Sequence, residues 1–145
     1  MSDEYLFVYG TLRQAFALPV HDVMMRHCQF LALGTLRGRL YQVDGYPGVV
    51  ELPHCRGRVA GELYRIIDKK ELFKLLDDYE QCSAKYPEPH EFIRKQADIS
   101  TYDGVVCQAW VYFYNRAVSG LVRISSGDYV CHMRDLRKIR YNIAR

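Results

Sequence analysis

The sequence lacks the features of a membrane or secreted protein. Its longest uninterrupted apolar stretch, residues 109–114, is far shorter than the roughly 20 residues that span a bilayer. The chain opens with Asp3 and Glu4, where a secretory signal would carry basic residues. Five cysteines are widely spaced and form no Cys-x-x-Cys pair. We therefore expect a cytoplasmic protein with reduced thiols and no membrane interaction.

Signs of a metal or nucleic-acid site are also absent. The five histidines form no His-x-x-x-His pair, so no metal site is predicted, and no serine lies in a Gly-x-Ser-x-Gly elbow. The net charge of +3 is too small to indicate nucleic-acid binding. Basic residues do gather at the end of the chain, which predicts either a solvated tail or a surface that captures an acidic partner. They are Arg134, Arg137, Lys138, Arg140 and Arg145.

The composition is that of one folded domain. The chain has 145 residues, of which 49% are hydrophobic and 26% charged, as in ordinary globular proteins. Twelve tyrosines and six phenylalanines favour strands over helices. We expect a single domain over residues 1–130 and a basic C-terminal tail over residues 131–145.

Residue periodicity predicts an α+β fold with a mixed sheet curled into a small barrel and a few helices. Asp68 can cap a central helix, with apolar residues following at helical spacing, and an Asp-Gly turn at residues 103–104 predicts a hairpin. Residues 124–128 are expected to be the last ordered feature. The predicted strands are 5–9, 38–43, 49–50, 61–66, 92–101 and 105–114, and the helices begin at Pro19, with a stripe reaching Cys28, and after Asp68.

The first candidate site lies where the first strand ends in a glycine turn. Tyr9, Gly10, Thr11 and Leu12 follow one another at this point. Successive backbone N–H groups in such a turn can bind a carboxylate or an oxyanion, and glycine allows a ligand to come close. The same pattern is also an ordinary turn of many folds, and these residues alone leave both readings open.

The second candidate is the acidic end of the central helix, where Asp77, Asp78 and Glu80 face the negative end of the helix dipole. Neighbouring negative charge and partial burial would raise the pKa of a carboxyl group toward the range useful for proton transfer. Glu80 is the strongest candidate because it follows Tyr79, a member of the apolar stripe. The alternative is that all three are solvated surface acids.

Several motifs, each weak alone, occur together in a fixed order from about Tyr5 to about Asp128, and the chain thereby resembles the gamma-glutamylcyclotransferase-like family, in its AIG2-like, gamma-glutamylamine cyclotransferase-like branch. The motifs are Tyr-Gly-Thr-Leu-Arg after the first strand, two Gly-x-Leu-Tyr strands around Tyr-Pro-Gly, Leu-Leu-Asp-x-Tyr-Glu, an aromatic-x-Arg strand, Ala-Trp-Val-Tyr and Ser-Gly-Asp.

The resemblance implies an enzyme that needs no cofactor and no metal. In such enzymes the stretch that matches residues 9–12 holds the glutamyl portion of the substrate, and the catalytic glutamate matches Glu80. The expected partner is a small-molecule gamma-glutamyl substrate, which would yield 5-oxoproline and a free amine or amino acid through a lyase or acyltransferase reaction. A non-catalytic module that binds a small metabolite in the same pocket is the alternative. We expect no nucleic-acid partner, and we expect the protein to be a monomer or a homodimer.

The chain departs from the family pattern at three places. Residues 14–16 stand where a glycine is common, and Gln81 stands where a glycine usually follows the glutamate. Phe92 replaces a frequent tyrosine two residues before Arg94. Arg94 is a candidate to bind a substrate carboxylate, although the residues favour the interpretation of a strand arginine paired with a surface acid.

Overall fold

The computed structural model describes residues 3–52 and 54–144, with side chains up to residue 137. Strands outnumber helices in this part of the chain, as the aromatic content predicts. A 3₁₀ turn at Gln14–Phe16 precedes the first helix. The elements are β1 (Tyr5–Val8), α1 (Pro19–Met24), β2 (Cys28–Gln42), β3 (Pro47–Glu51), β4 (Arg58–Ile66), α2 (Lys69–Tyr79), β5 (Phe92–Thr101), β6 (Val106–Tyr114), β7 (Val122–Arg123) and α3 (Tyr129–Ala144).

Five strands form a closed barrel in the order β2-β4-β1-β6-β5, and β5 pairs with β2 to complete the ring. The β1–β6 pairing is parallel and the others are antiparallel, while β3 and β7 extend from β2. The long β2 pairs with β4 over residues 28–37 and with β5 over residues 34–36, and its register with β4 shifts between Phe30 and Ala32. This architecture confirms the predicted α+β fold with a mixed sheet curled into a small barrel.

The alternation of side chains along each strand creates two apolar cores. Phe7 and Leu63 point into the barrel and pack in its interior, whereas their neighbours Leu6 and Tyr64 lie on the outer face. The outer face is covered by α1 and α2, whose buried residues include Met24. The candidate site lies where these two layers meet.

The helix after Asp68 forms as predicted. Asp68 accepts a hydrogen bond from the Glu71 backbone N–H at 3.2 Å, so it caps α2. The predicted hairpin also forms, and Gly104 adopts the positive φ (+87°) that its turn requires.

The first helix is shorter than the apolar spacing predicts. It ends at Met24, and Cys28 already belongs to β2. The His27 carbonyl accepts the backbone N–H groups of Ile67 and Asp68 at 2.9 and 3.1 Å, which commits this segment to the chain beside β4. Pairing with a distant strand therefore overrides the local helical pattern.

The expectation that residues 124–128 are the last ordered feature is wrong. Helix α3 begins at Tyr129, which is 1% exposed and packs inside the barrel core with Ile124. The buried face of this first turn holds the helix against the barrel. The basic composition of the segment gives no sign of this packing. Within the predicted tail, residues 131–144 are helical and Arg145 lies outside the described residues. No helix of the described residues is both long and apolar enough to cross a bilayer.

Candidate active site

A cavity of about 400 Å³ opens beside the C-terminal end of β1. Its walls come from the loop after β1, the turn before β3, the C-terminal end of α2 and the start of β5, together with residues of β1 and β6 and with Leu18. The structure therefore brings the two candidate sites of the sequence together. The residues with polar or aromatic groups at the cavity include Tyr9, Thr11, Tyr46, Tyr79, Glu80, Gln81, Glu91, Phe92 and Tyr112.

The loop after β1 carries free backbone donors. The Arg13 N–H donates to the Gly10 carbonyl at 3.0 Å and closes a tight turn over residues 10–13. The N–H groups of Gly10, Thr11 and Leu12 find no acceptor among the described residues. All three residues line the cavity, which makes these donors candidates for binding an anionic ligand.

Gly10 has a packing role that the sequence does not reveal. A Cβ atom at this position would lie 2.8 Å from Cγ of Pro47, so only glycine lets the loop rest against the start of β3. Beside it, the Tyr9 hydroxyl donates to the Tyr112 carbonyl at 2.6 Å and accepts from the Val49 N–H at 3.3 Å. Tyr9 thus contributes a buried anchor between strands as well as a wall of the cavity.

Charged side chains fix the far end of the same loop. Arg13, 9% exposed, lies 3.3 Å from Glu62 Oε2 through Nε and 3.0 Å from Asp128 Oδ1 through Nη1. The other Glu62 oxygen accepts from the Gln14 N–H at 3.0 Å and the Tyr64 hydroxyl at 2.7 Å. This Arg13 cluster joins three of the motifs noted in the sequence, which are far apart along the chain.

The end of α2 places Glu80 at the cavity through a defined backbone motif. The Cys82 N–H donates to the Asp77 carbonyl at 2.8 Å and the Gln81 N–H to the Asp78 carbonyl at 3.1 Å, the two bonds of a Schellman motif. Gln81 takes φ of +58°, the left-handed conformation that favours glycine. Glu80 is the C-cap residue. The usual glycine after the glutamate therefore matches a backbone requirement, which Gln81 meets with strain.

The Glu80 carboxyl group is poised to exchange protons near neutrality. It accepts no hydrogen bond and forms no ion pair among the described residues, although the cavity leaves it some exposure to solvent. Surrounding protein atoms desolvate it, and the negative charge of Glu91 adds to the effect, so its pKa rises to about 8. Such a carboxyl group can both accept and return a proton at physiological pH.

The negative charge that contributes to the raised pKa of Glu80 does not come from the acids predicted. Asp78 pairs with Lys85 at 2.5 Å on the surface, and Asp77 binds Arg94. The two helix-end acids are thereby compensated, whereas Glu91 lies at the far end of the Pro-bracketed loop, the segment 80–91 that joins α2 to β5 and contains Pro87 and Pro89. The raised pKa was expected, but its expected electrostatic source was wrong.

Glu91 is the residue that sequence reasoning missed. It lies at the cavity and accepts a hydrogen bond from the Tyr46 hydroxyl at 2.5 Å. Burial and this bond to Glu91 raise the pKa of Tyr46, so Tyr46 remains a donor. Tyr46 stood in the Tyr-Pro-Gly motif, but no local pattern marks Glu91, which is brought close only by the sheet.

Arg94 is placed outside the cavity lining. Its Nε lies 3.1 Å from Asp77 Oδ1, and its guanidinium stacks 3.7 Å from the Phe73 ring centroid. Asp77 also accepts from the Tyr112 hydroxyl at 2.6 Å. The Arg94 side chain is committed to this ion pair, which agrees with the interpretation of a strand arginine paired with an acid and not with the binding of a substrate carboxylate. That acid, Asp77, is partly buried, and Arg94 supports the cavity wall from behind.

The described residues contain no group of three His, Cys, Asp or Glu side chains arranged to hold a metal ion. The chemical resources at the cavity are thus the free N–H groups of residues 10–12, the carboxyl groups of Glu80 and Glu91, and the hydroxyls of Thr11 and Tyr79, which share a hydrogen bond of 2.8 Å. They suit a reaction that needs anion binding and proton transfer.

Comparison with known proteins places the chain among proteins of one family. A family model described as gamma-glutamyl cyclotransferase, AIG2-like, matches residues 6–131. The gamma-glutamylcyclotransferase family protein YtfP of Escherichia coli K12 is 34% identical over 126 residues, which cover 86% of this chain and 95% of YtfP.

Solved structures agree with this placement. An AIG2-like protein from Mus musculus is 26% identical with a TM-score of 0.67, over 89% of each chain. YkqA from Bacillus subtilis is 26% identical with a TM-score of 0.71; the match covers 94% of this chain but 43% of YkqA.

Proposed function

Since the chain belongs to the gamma-glutamyl cyclotransferase, AIG2-like family, we propose that it converts a gamma-glutamyl amide into 5-oxoproline and a free amine, with Glu80 as general base and then general acid. One observation carries the proposal. The Glu80 carboxyl group, with no protein partner among the described residues and a pKa of about 8, shares a cavity with the free N–H groups of residues 10–12.

The loop supplies the binding and the electrostatic stabilisation. Backbone N–H groups of Gly10, Thr11 and Leu12 hold the glutamyl portion of the substrate and stabilise the oxygen on which negative charge develops. Holding the glutamyl part of the substrate folded for ring closure lowers the activation free energy by at most about 7–11 kcal/mol. The Arg13 cluster and Pro47 keep this loop in place before the substrate arrives.

The reaction needs no covalent intermediate on the protein. Ionised Glu80 removes a proton from the α-ammonium group, and the free amine attacks the γ-carbonyl carbon to form the ring C–N bond. Protonated Glu80 returns its proton to the amide nitrogen as the original C–N bond breaks. The ring nitrogen loses its second proton to the departing amine, which leaves as an ammonium ion. The proton count is conserved, and no water is consumed.

The acidity of Glu80 suits both steps. With its pKa raised to about 8, Glu80 lies much closer in acidity to an α-ammonium group than an ordinary glutamate does, so the free-energy cost of taking that proton is smaller. An ordinary glutamate would be a far weaker base toward the ammonium group. Desolvation of Glu80 therefore supports its assignment as the proton carrier.

The test is 5-oxoproline release from a panel of gamma-glutamyl amines and amino acids. We expect turnover by the wild type and a loss of about 10²–10⁴-fold in kcat for Glu80→Gln. Asp78→Asn is the matched control, since it removes a carboxylate from the same helix end that is paired with Lys85 and does not line the cavity. Ligand binding by a folded wild type without turnover on any member of the panel would refute the proposal and favour a binding module.

A further inference from the structure

The cavity carries more negative charge than the proposed reaction uses. Glu80 and Glu91 both face it, and its described lining contains no lysine, arginine or histidine. The described cation paired with Glu91 is Arg116, whose Nη1 lies 4.0 Å from Oε2 and whose side chain is 54% exposed. Water screens such a pair strongly. The proposed reaction gives a role to Glu80 and leaves Glu91 with an uncompensated charge.

Glu91 is held in a fixed position in the cavity wall. The Tyr46 hydroxyl donates to its Oε1 at 2.5 Å, and the Asn115 N–H donates to its backbone carbonyl at 2.7 Å. Its side chain is 18% exposed, and it follows the Pro-bracketed loop directly. A substrate whose glutamyl end lies on residues 10–12 and whose amide lies at Glu80 extends its leaving group along the remaining cavity wall, which includes Glu91.

From this charge and position, we propose that Glu91 is a specificity residue that selects gamma-glutamyl amides whose leaving amine carries a second positive charge, such as a diamine. The proposal rests on the proposed function. With such a substrate bound, the α-ammonium faces Glu80 and the distal ammonium faces Glu91, so each carboxylate has a partner. A leaving group with a carboxylate would instead meet Glu91 as a like charge.

A matched set of three substrates tests this selectivity. The leaving groups are 1,4-diaminobutane, pentylamine and 4-aminobutyrate, which are similar in length and carry positive, neutral and negative distal ends. We expect wild-type kcat/KM to fall in that order, with the cationic substrate about 10-fold to 100-fold above the neutral one.

The variant Glu91→Gln should bring the ratio of kcat/KM for the cationic and neutral substrates close to one. Any effect of Glu91 on Glu80 itself is common to both substrates and cancels in the ratio. Glu88→Gln, an equal charge change at an exposed position of the same loop, should leave the ratio unchanged. Tyr46→Phe keeps the Glu91 charge but removes its hydroxyl donor, so it should lower the ratio less, and it serves if Glu91→Gln does not fold.

Calorimetric binding of the three compounds to Glu80→Gln separates this inference from the proposed function. Turnover with a ratio near one in the wild type, or a ratio insensitive to Glu91→Gln, overturns the inference and leaves the cyclotransferase reaction standing. If the wild type turns over none of the three compounds, but the cationic compound binds more tightly than the others and Glu91→Gln abolishes this preference, the reaction is refuted and the selectivity is supported. Absence of both turnover and preferential binding overturns both.

Discussion

Two groups of enclosed charges in this protein are built in opposite ways. In the Arg13 cluster, the carboxylates of Glu62 and Asp128 are met by a guanidinium and by N–H or O–H donors. At the cavity, Glu80 has no such partner among the described residues, and Glu91 has one strong donor. Compensated charge holds the loop in place, and uncompensated charge is left for a substrate.

The acidities show the same contrast. Burial opposes ionisation of Asp128, but the Cys131 N–H and the charge of Arg13 outweigh it and lower its pKa. Burial of Glu80 meets no such opposition, and Glu91 adds to it, so the pKa of Glu80 rises to about 8. Whether a buried carboxylate serves structure or chemistry is decided here by its partners, because desolvation acts on both.

Removal of Arg13 should have the largest effect on the free energy of unfolding, because it takes the cation away from the compensated carboxylates. Arg13→Leu leaves Glu62, which is 5% exposed, without its cation, and we expect a loss of about 3–5 kcal/mol in the free energy of unfolding. Urea denaturation measures it. Lys85→Gln, which breaks the exposed pair with Asp78, is the control and should leave the free energy of unfolding nearly unchanged. Equal losses in the two variants would show that the cluster is no more structural than a surface pair.

The pH dependence of stability should identify Glu80 as the uncompensated charge. Because its folded-state pKa is raised, its favourable contribution is complete below the ordinary glutamate pKa and is lost as pH rises through about 8. The slope cannot exceed about 1.4 kcal/mol per pH unit. Glu80→Gln removes this loss, so its stability advantage over the wild type should grow between pH 5 and pH 8.5 in urea titrations. Parallel curves for the two proteins would contradict the assignment.

The pH dependence of kcat/KM should show how the charge of Glu91 acts on Glu80. The charge of Glu91 raises the pKa of Glu80, so Glu91→Gln should move the acidic limb of kcat/KM toward lower pH. The substrate for this measurement carries a neutral leaving group, which avoids the selectivity proposed above. Glu88→Gln should leave the limb in place, and a limb that stays put or moves upward in Glu91→Gln would refute the electrostatic coupling.

The smallest effect is expected at the turn that presents Glu80. Gln81 adopts φ of +58°, so Gln81→Gly relieves left-handed strain and should raise the free energy of unfolding by about 0.5–1 kcal/mol, net of the greater flexibility of the unfolded chain. Gly104→Ala, at φ of +87° with open space around it, should cost a similar amount. Destabilisation by Gln81→Gly would mean that the Gln81 side chain contributes contacts at the cavity wall.

Local patterns predicted much of the fold. The capped helix after Asp68 and the hairpin at Gly104 follow from neighbours within a few residues, so they are readable from the sequence. The end of α1 and the start of α3 could not be predicted from the sequence. They depend on long-range contacts, namely the pairing of His27 with the chain beside β4 and the packing of Tyr129 in the barrel.

The sequence by itself determined the two halves of the candidate site: a glycine turn with successive N–H groups at residues 10–12, and a glutamate at the end of an amphipathic helix. Tertiary structure alone decided that Glu91 would join them, that Arg13 would secure the loop, and that Arg94 would be occupied by Asp77. The reason is physical. Backbone geometry is set by adjacent residues, whereas the pKa and partners of a side chain depend on which distant strands the barrel brings beside it.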